Sequence, residues 1–201
     1  MFRWDGDHLA ADLPGGRVRF TSRALDLRTH LDAFGPVRHG RQVHGARVLR
    51  DAEPGLQADG QVVTDDHGAL VLTADCLPIA LVAGDGVAML HGGWRGLAGG
   101  IVAEGVRVLG AAGPVVAALG PSARGCCYAV GEEVHAAFAG YDARRGERNL
   151  ALDAIATEQL RGAGVGVVHD TGVCTMCDGR FFSHRRDHGV TGRQGGIAWR
   201  A

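Results

Sequence analysis

The chain has 201 residues, a length that suits a single domain. Its 21 basic and 22 acidic residues give a formal net charge of −1, which excludes the strongly basic surface that nucleic acids or anionic membranes would need. All the basic residues are arginine, so the chain has no lysine for a Schiff base, a P-loop or a pyridoxal-phosphate site.

The amino-terminal segment predicts a cytoplasmic protein. It carries four formally charged residues within its first 12 positions and lacks the apolar centre of a signal peptide. No apolar run reaches the roughly 18 residues that a membrane-spanning helix needs. We therefore expect neither a membrane nor a nucleic acid as a partner, and we expect the five cysteines to be reduced. Phe20–Arg23 ends a predicted strand, and Arg23 is a candidate for holding an anion.

Short apolar runs separated by glycine predict strands in the centre of the chain. These runs cover Val62–Thr64, Ala69–Thr73, Pro78–Ala83 and Gly86–Leu90. The turn at Gly84 and Asp85 is expected to join the last two runs as a β-hairpin. Apolar residues at helical spacing then predict a helix from Gly96 to Leu109.

The carboxy-terminal half continues the mixture of strands and helices. The pattern predicts strands at Val115–Leu119, Val165–His169 and Gly196–Trp199, and helices at Gly131–Phe138 and Leu150–Arg161. Asn149 is placed to cap the second helix. Because strands outnumber helices and several neighbours look antiparallel, we expect an α+β fold in which one domain, residues 1–201, forms a β-rich sandwich flanked by a few helices.

Three residues that can bind a metal stand where strands meet turns: His44, Cys76 and His91. If the strands around Cys76 and His91 pair, both side chains reach the same end of one sheet. Two neutral imidazoles and a thiolate suit Zn²⁺ at about 2.0–2.3 Å, and three protein ligands leave a fourth position open for catalysis. The alternative is that Cys76 is a small core residue and the histidines are hydrogen-bonded framework groups.

The run His91–Gly96 suggests an anion site beside these residues. Gly92 and Gly93 would let the backbone approach a ligand closely, and the helix that follows would present free N–H groups. Arg95 offers a fork of donors for an oxyanion, and Trp94 offers a ring face for a planar base. The alternative is a glycine-rich turn around a buried tryptophan.

Two further groups of residues each allow more than one role. Either Arg185 or Arg186 is expected to reach the anion site, while the other forms a framework ion pair. Cys174 and Cys177 form a C-x-x-C pair, which alone could be redox-active or half of a structural zinc site. A second C-x-x-C pair is missing. The adjacent Cys126 and Cys127 are a poor substitute, since neighbouring side chains of an extended chain point in different directions, and we interpret Cys126 as a loop residue without a role.

Together these runs resemble the laccase-domain family, also called polyphenol-oxidase-like, whose members are understood mainly as purine nucleoside phosphorylases. The matching segments are Gln42–Gly45, Ala58–Gly60, Val63–Asp65, Thr73–Pro78, His91–Gly96, Gly120-Pro121, Cys127-Tyr128, Val130-Gly131, Cys174-Thr175, Phe181–Asp187 and Thr191–Arg193, followed by Ile197 and Trp199. They occur in order over about four-fifths of the chain. Two departures are clear: Ala24–Gly40 lacks the Gly-Gly-Val-Ser and Asn-Leu-Gly stretches of the family, and Ala129 replaces a frequent glutamate.

The resemblance implies a zinc enzyme that cleaves adenosine, inosine and 5′-methylthioadenosine with phosphate, with adenosine deamination as a further activity. It places the metal ligands on His44, Cys76 and His91. It also implies an α/β sandwich related to the fold of a bacterial deamidase toxin. On this basis we expect Cys76, His91 and Arg95 to be catalytic. The residues expected to hold substrate or phosphate are Arg23, Gly92, Gly93, Trp94 and Arg185.

Three other functions stay open. The older family name suggests a copper-dependent polyphenol oxidase, and the His₂Cys set could hold one copper ion. However, no two of the ten histidines are two residues apart, as the H-x-H pairs of multicopper oxidases would require.

A metal-free hydrolase would use Cys76 as nucleophile with His91 or His44 as base. The family also includes a reported role in editing peptidoglycan precursors, which no residue here tests. The sequence does not indicate the oligomeric state.

Overall fold

The computed structural model describes residues 2–201. The strands of this range are β1 Arg3–Asp5, β2 His8–Leu13, β3 Gly16–Phe20, β4 Val37–Arg38, β5 Val48–Arg50, β6 Gly60–Val63, β7 Gly68–Thr73, β8 Leu77–Ala83, β9 Gly86–Gly92, β10 Val116–Leu119, β11 Arg144–Arg145, β12 Asn149–Leu150, β13 Val167–Asp170 and β14 Gln194–Arg200. The helices are α1 Trp94–Ala98, α2 Ile101–Leu109, α3 Glu132–Ala137 and α4 Leu152–Gly162.

Two six-stranded sheets make up most of the structure. The first has the strand order β1-β2-β3-β14-β7-β4, and the second has the order β13-β10-β8-β9-β6-β5. Neighbouring strands are antiparallel except for the pairs β4–β7, β5–β6 and β10–β13, which are parallel. The two sheets pack face to face, and their shared core includes Phe20, Val71 and Met89, all almost fully buried.

The second sheet is covered on both faces, and the side chains of β8 show this directly. Ala80 and Val82 belong to the core between the sheets, whereas Ile79 and Leu81 belong to the core that contains Ile101 of α2 and residues of α1 and α4. This alternation follows from the two-residue period of a strand. Both faces are apolar because both are buried, so the strand is a continuous apolar run in the sequence.

The central strands agree closely with the prediction. The runs predicted around residues 62–90 are β6 to β9, and β8 and β9 form the expected hairpin, in which Ala83 pairs with Gly86. The predicted helix over 96–109 is wrong in its bounds, because two helices occupy residues 94–109. Gly100, at φ 86°, separates them in a left-handed conformation that glycine adopts without steric cost.

Asn149 does not cap α4, as was predicted. It lies in the short strand β12, its side chain donates to the carbonyl oxygen of Gly125 at 3.0 Å, and Ala151 occupies the cap position. The predicted strand over 165–169 begins two residues later, as β13, and pairs in parallel with β10.

The mixed α/β fold with two large sheets agrees with the predicted class. The segment Ala24–Gly40, which lacks the family's usual stretches, covers the outer face of the first sheet, where Leu27 packs against Leu70 and Ile197. Among the helices of residues 2–201, none has the length and apolar character needed to cross a membrane.

Candidate metal centre and cavity

His44, Cys76 and His91 come together at one end of the second sheet. Each offers a nitrogen or sulfur atom, and these three atoms lie within 4.8 Å of one another. The hairpin explains two of the positions, since His91 pairs with Pro78 across the strands and Cys76 directly precedes β8. His44 comes from a loop, and its Nε2 atom lies 3.9 Å from the Cys76 sulfur.

Backbone strain marks both turns that deliver these ligands. His44 has a φ of 62° and Asp75, which precedes Cys76, has a φ of 89°. Residues other than glycine occupy this left-handed region rarely, and at a cost of about 1–3 kcal/mol. The surrounding hydrogen bonds hold both residues there: the His44 loop is fixed by Asp59, and Asp75 is fixed by Thr175 and Arg185.

Asp59 holds two of the three candidate ligands in place through hydrogen bonds to His44 and His91, a role that the sequence analysis did not assign. Its carboxylate accepts backbone N–H groups from Val43 at 3.1 Å and from His44 and Gly45 at 2.8 Å. The same carboxylate lies 2.8 Å from Nδ1 of His91. This contact leaves Nε2 of His91 free, which is the arrangement in which a carboxylate orients a metal-binding histidine.

The charges of Cys76 and His91 depend on each other. Burial alone would raise the pKa of the Cys76 thiol, but the nearby His91 and His44 lower it to about 6. Burial alone would lower the pKa of His91, but Cys76 and Asp59 raise it to about 9. The shift at Cys76 favours the thiolate, which is the form that binds metals.

Gly93 leaves the space between the three candidate ligands open. A Cβ atom at this position would lie 3.1 Å from Cδ2 of His44, 3.5 Å from the sulfur of Cys76 and 3.8 Å from Cε1 of His91. A side chain would therefore crowd all three candidate ligands.

A cavity of about 800 Å³ opens over the three residues. Its volume falls within the range of pockets that hold small organic molecules. The lining includes His44, Cys76, His91, Asp75, Trp94, Arg95, Tyr128, Arg185, Arg28, His39, Arg41, His184 and Arg193. Arg28 and His39 come from the segment that lacks the family's usual stretches, so this segment still forms part of the wall.

Arginines give the cavity a positive wall. Arg28 is neutralised by Asp26 at 2.7 Å. Arg41, Arg95, Arg185 and Arg193 have no carboxylate within 4.0 Å in the described part of the chain. The Arg95 guanidinium lies 4.3 Å from the centre of the Trp94 ring. Arg185 donates to the Ala129 carbonyl oxygen at 2.7 Å, a neutral partner that leaves its charge uncompensated. Cationic groups without a carboxylate partner favour an anionic ligand.

Arg185 and Arg186 divide their roles as the sequence suggested. Arg185 lines the cavity, and its guanidinium lies over the Tyr128 ring, 4.9 Å from its centre. Arg186 is a framework residue that pairs with Asp187 at 2.8 Å and donates to the carbonyl oxygen of Thr175.

Three residues predicted to hold substrate or phosphate, namely Arg23, Gly92 and Gly93, are absent from the cavity lining. Arg23 lies outside the cavity lining, because it donates to the carbonyl oxygen of Gly179 and stacks on Phe182. Gly92 belongs to β9, where a Cβ atom would meet the Leu77 carbonyl oxygen at 2.8 Å, so its role is strand packing. The Gly93 N–H group donates to the His91 carbonyl oxygen at 3.1 Å, and it is therefore engaged within the protein.

Tyr128 lines the cavity, at the end of the passage Gly120–Tyr128, which the sequence indicates as a possible further wall of the site. Burial, together with the neighbouring Cys76 and Asp75, raises the pKa of its phenol to about 12, although Arg185 and Arg95 act in the opposite direction. The hydroxyl therefore stays protonated at neutral pH and can donate a hydrogen bond into the cavity. With Trp94, it gives the cavity two aromatic side chains.

Comparison with known families accounts for most of the chain. Residues 18–201 match the family described as multi-copper polyphenol oxidoreductase laccase. A protein of Xylella fastidiosa strain 9a5c named purine nucleoside phosphorylase is 40% identical over 184 residues, which cover 79% of this chain and 70% of that protein. The Escherichia coli K12 protein named purine nucleoside phosphorylase YfiH is 37% identical over 175 residues, covering 79% and 71%.

Solved structures show the same architecture over the whole chain. Neisseria meningitidis protein NMB0706 has a TM-score of 0.84 at 28% identity, covering 97% of this chain and 99% of that one. YlmD from Geobacillus stearothermophilus has a TM-score of 0.88 at 24% identity, covering 99% and 98%, and supports the fold alone.

Proposed function

This chain belongs to the multi-copper polyphenol oxidoreductase laccase family, as its motifs indicated, and from that premise we propose that it is a zinc-dependent purine nucleoside phosphorylase. One observation carries the proposal: the His₂Cys group of His44, Cys76 and His91 lies at the base of a cavity whose lining includes arginines without carboxylate partners. The names of the relatives support the reaction class.

The donor set fits a zinc ion. One thiolate and two imidazoles are ligands that zinc prefers, and Asp59 already fixes the orientation of His91 as a supporting carboxylate would. The open space that Gly93 leaves among the ligands fits the same interpretation. Bound zinc would supply a Lewis acid that polarises a substrate oxygen, or that acidifies water for the deamination of adenosine.

The protein's own residues supply the positioning and the charge. Phosphorolysis breaks the bond between the base and the ribose, so that positive charge develops on the sugar and negative charge on the departing base. Arg95 and Arg185 would hold phosphate by charge-assisted hydrogen bonds. Trp94 and Tyr128 would contact the planar base, and the protonated Tyr128 hydroxyl would serve as a donor.

The proposed substrates are adenosine, inosine and 5′-methylthioadenosine, with phosphate as the second substrate. We expect hypoxanthine release from inosine to require phosphate and to yield ribose 1-phosphate in equal amount. The test is a nucleoside panel assayed with and without phosphate on protein of known metal content. Hypoxanthine release that is independent of phosphate would contradict a phosphorylase and indicate a hydrolase.

Replacing Arg95 by methionine is expected to raise the KM for phosphate about 10- to 100-fold, while the KM for inosine changes much less. A hydrogen bond to a charged group contributes about 1.5–3 kcal/mol, and methionine keeps much of the apolar contact with Trp94. Initial-rate kinetics with each substrate varied in turn would measure this effect.

Arg28→Met is the matched control for this prediction. Arg28 also lines the cavity, but Asp26 neutralises it. Equal phosphate KM values for the Arg28 and Arg95 variants would remove Arg95 from the anion site.

Copper-dependent phenol oxidation has less support. In the described residues, the groups that could hold a metal are the His₂Cys set and a set of four cysteines. Neither provides the histidine-rich environment that several closely spaced copper ions need. Stoichiometric copper together with oxygen uptake on a phenol would favour the oxidase over the phosphorylase.

A further inference from the structure

A second group of potential metal ligands lies outside the cavity lining. The sulfur atoms of Cys126, Cys127, Cys174 and Cys177 all lie within 4.8 Å of one another. The expectation that the adjacent Cys126 and Cys127 diverge was wrong because the chain there is not extended. It forms a turn in which the Cys127 N–H group donates to the Arg124 carbonyl oxygen at 2.9 Å.

Backbone hydrogen bonds connect the segment that leads to Cys126 and Cys127 with the segment that contains Cys174 and Cys177. Ser122 and Cys174 form a parallel bridge. Its hydrogen bonds run from the Ser122 N–H group to the Val173 carbonyl oxygen at 3.2 Å, and from the Thr175 N–H group to the Ser122 carbonyl oxygen at 3.0 Å. These backbone contacts between the two loops therefore bring the four sulfur atoms close together.

The C-x-x-C segment, Cys174–Cys177, forms a tight turn. The N–H groups of Cys177 and Asp178 donate to the Cys174 carbonyl oxygen at 3.2 and 2.9 Å. The turn therefore keeps the Cys174 and Cys177 sulfurs within 4.8 Å of each other, close enough to bind the same ion.

The separations between sulfurs suit a single ion. A tetrahedral zinc with bonds of about 2.3 Å places its sulfur ligands about 3.8 Å apart. The Cys126–Cys177 separation of 3.8 Å matches this value, whereas the Cys127–Cys177 separation of 3.0 Å is shorter, so Cys127 would have to move outward to bind the same ion. A disulfide would join only two of the four atoms, at about 2.05 Å. A polynuclear iron–sulfur cluster would spread its four thiolates around several iron atoms, which this compact group does not do.

We propose that Cys126, Cys127, Cys174 and Cys177 form a structural site for one zinc ion, separate from the His₂Cys centre. Four protein ligands leave no position for substrate, which is the pattern of structural rather than catalytic zinc.

This site would stiffen one wall of the cavity. Tyr128, which lines the cavity, directly follows Cys127. Thr175, between the paired cysteines, donates its hydroxyl to Asp75 at 2.6 Å, and Asp75 precedes the candidate ligand Cys76. A metal at the four cysteines would thus hold the turns that position both residues.

Metal content measured in the Cys76→Ala variant tests the proposal, because this change leaves all four cysteines in place. Purified without added metal and then dialysed against a small excess of zinc, the variant is expected to retain one zinc ion per chain. Its cobalt-substituted form should show the intense visible absorption of a tetrahedral thiolate complex. Zinc removal with a chelator should lower its Tm.

Cys126→Ser combined with Cys177→Ser is the matched variant: in the unmodified background it should bind one zinc ion fewer while keeping the His₂Cys centre, and added to Cys76→Ala it should abolish the cobalt absorption. A folded Cys76→Ala protein that takes up neither zinc nor cobalt would overturn the proposal. So would the detection by mass spectrometry of a Cys127–Cys177 disulfide in freshly purified protein. Both readouts are independent of phosphorolysis, so failure of the proposed enzymatic activity leaves this test intact.

Discussion

Replacing Cys76 by alanine is expected to lower kcat/KM for the phosphorolysis of inosine by more than 100-fold. Changes to the residues that orient metal ligands typically cost about 10- to 100-fold in metal affinity or activity, and loss of a ligand itself should exceed this range. Without the thiolate, the site retains only the imidazoles of His44 and His91. Steady-state kinetics and metal analysis of the same preparation would measure both losses.

Cys76→Asp is the informative control, because it keeps an anionic ligand at the same position. It is expected to retain more zinc and more activity than the alanine variant, although less than the unmodified chain. Turnover by Cys76→Ala equal to that of the unmodified chain would remove this thiol from the chemistry. If Cys76 were instead a metal-free nucleophile, its alkylation would be insensitive to prior treatment with a chelator, whereas a metal-bound thiolate should react faster after chelation.

The sequence predicts the central sheet well because the signal there is local. Strands β8 and β9 are apolar on both faces, and the turn at Gly84 and Asp85 separates them, so the length of each apolar run and the position of the turn define both strands. The pairing of β8 with β9 follows from a two-residue turn. This pairing was enough to predict that Cys76 and His91 meet, since both residues lie near the same end of the hairpin.

The errors occur where the outcome depends on contacts between distant segments. Asp59 is an ordinary acidic residue in the sequence, and only the pairing of β6 with β9 brings it beneath His91. Arg23 lies three residues beyond the end of β3 rather than at a strand end, and a contact with Phe182, far along the chain, directs it away from the cavity. The four cysteines converge because of a turn and a backbone bridge that residue spacing does not encode.

Replacing Asp59 by asparagine is expected to weaken zinc binding at the His₂Cys centre by about 10- to 100-fold, with a comparable loss of kcat/KM. Burial raises the pKa of this carboxyl group, but hydrogen bonds from His91, Val43 and Gly45 outweigh burial and hold it below the ordinary value. The carboxylate is thus ionised and accepts hydrogen bonds at both oxygens. An asparagine would place an NH₂ group against at least one of these donors.

Comparing Asp59→Asn with a second variant that also loses one negative charge separates the positioning of His91 by Asp59 from a general effect of lost charge. Asp65→Asn is the matched control: Asp65 pairs with Arg38 and His67 and does not line the cavity, so zinc affinity should stay within about twofold of the unmodified chain. Competition with a chromophoric chelator would give both affinities. If Asp59→Asn bound zinc as tightly as Asp65→Asn, the hydrogen bond to His91 would be a feature of folding alone, and the orientation of His91 would need another cause.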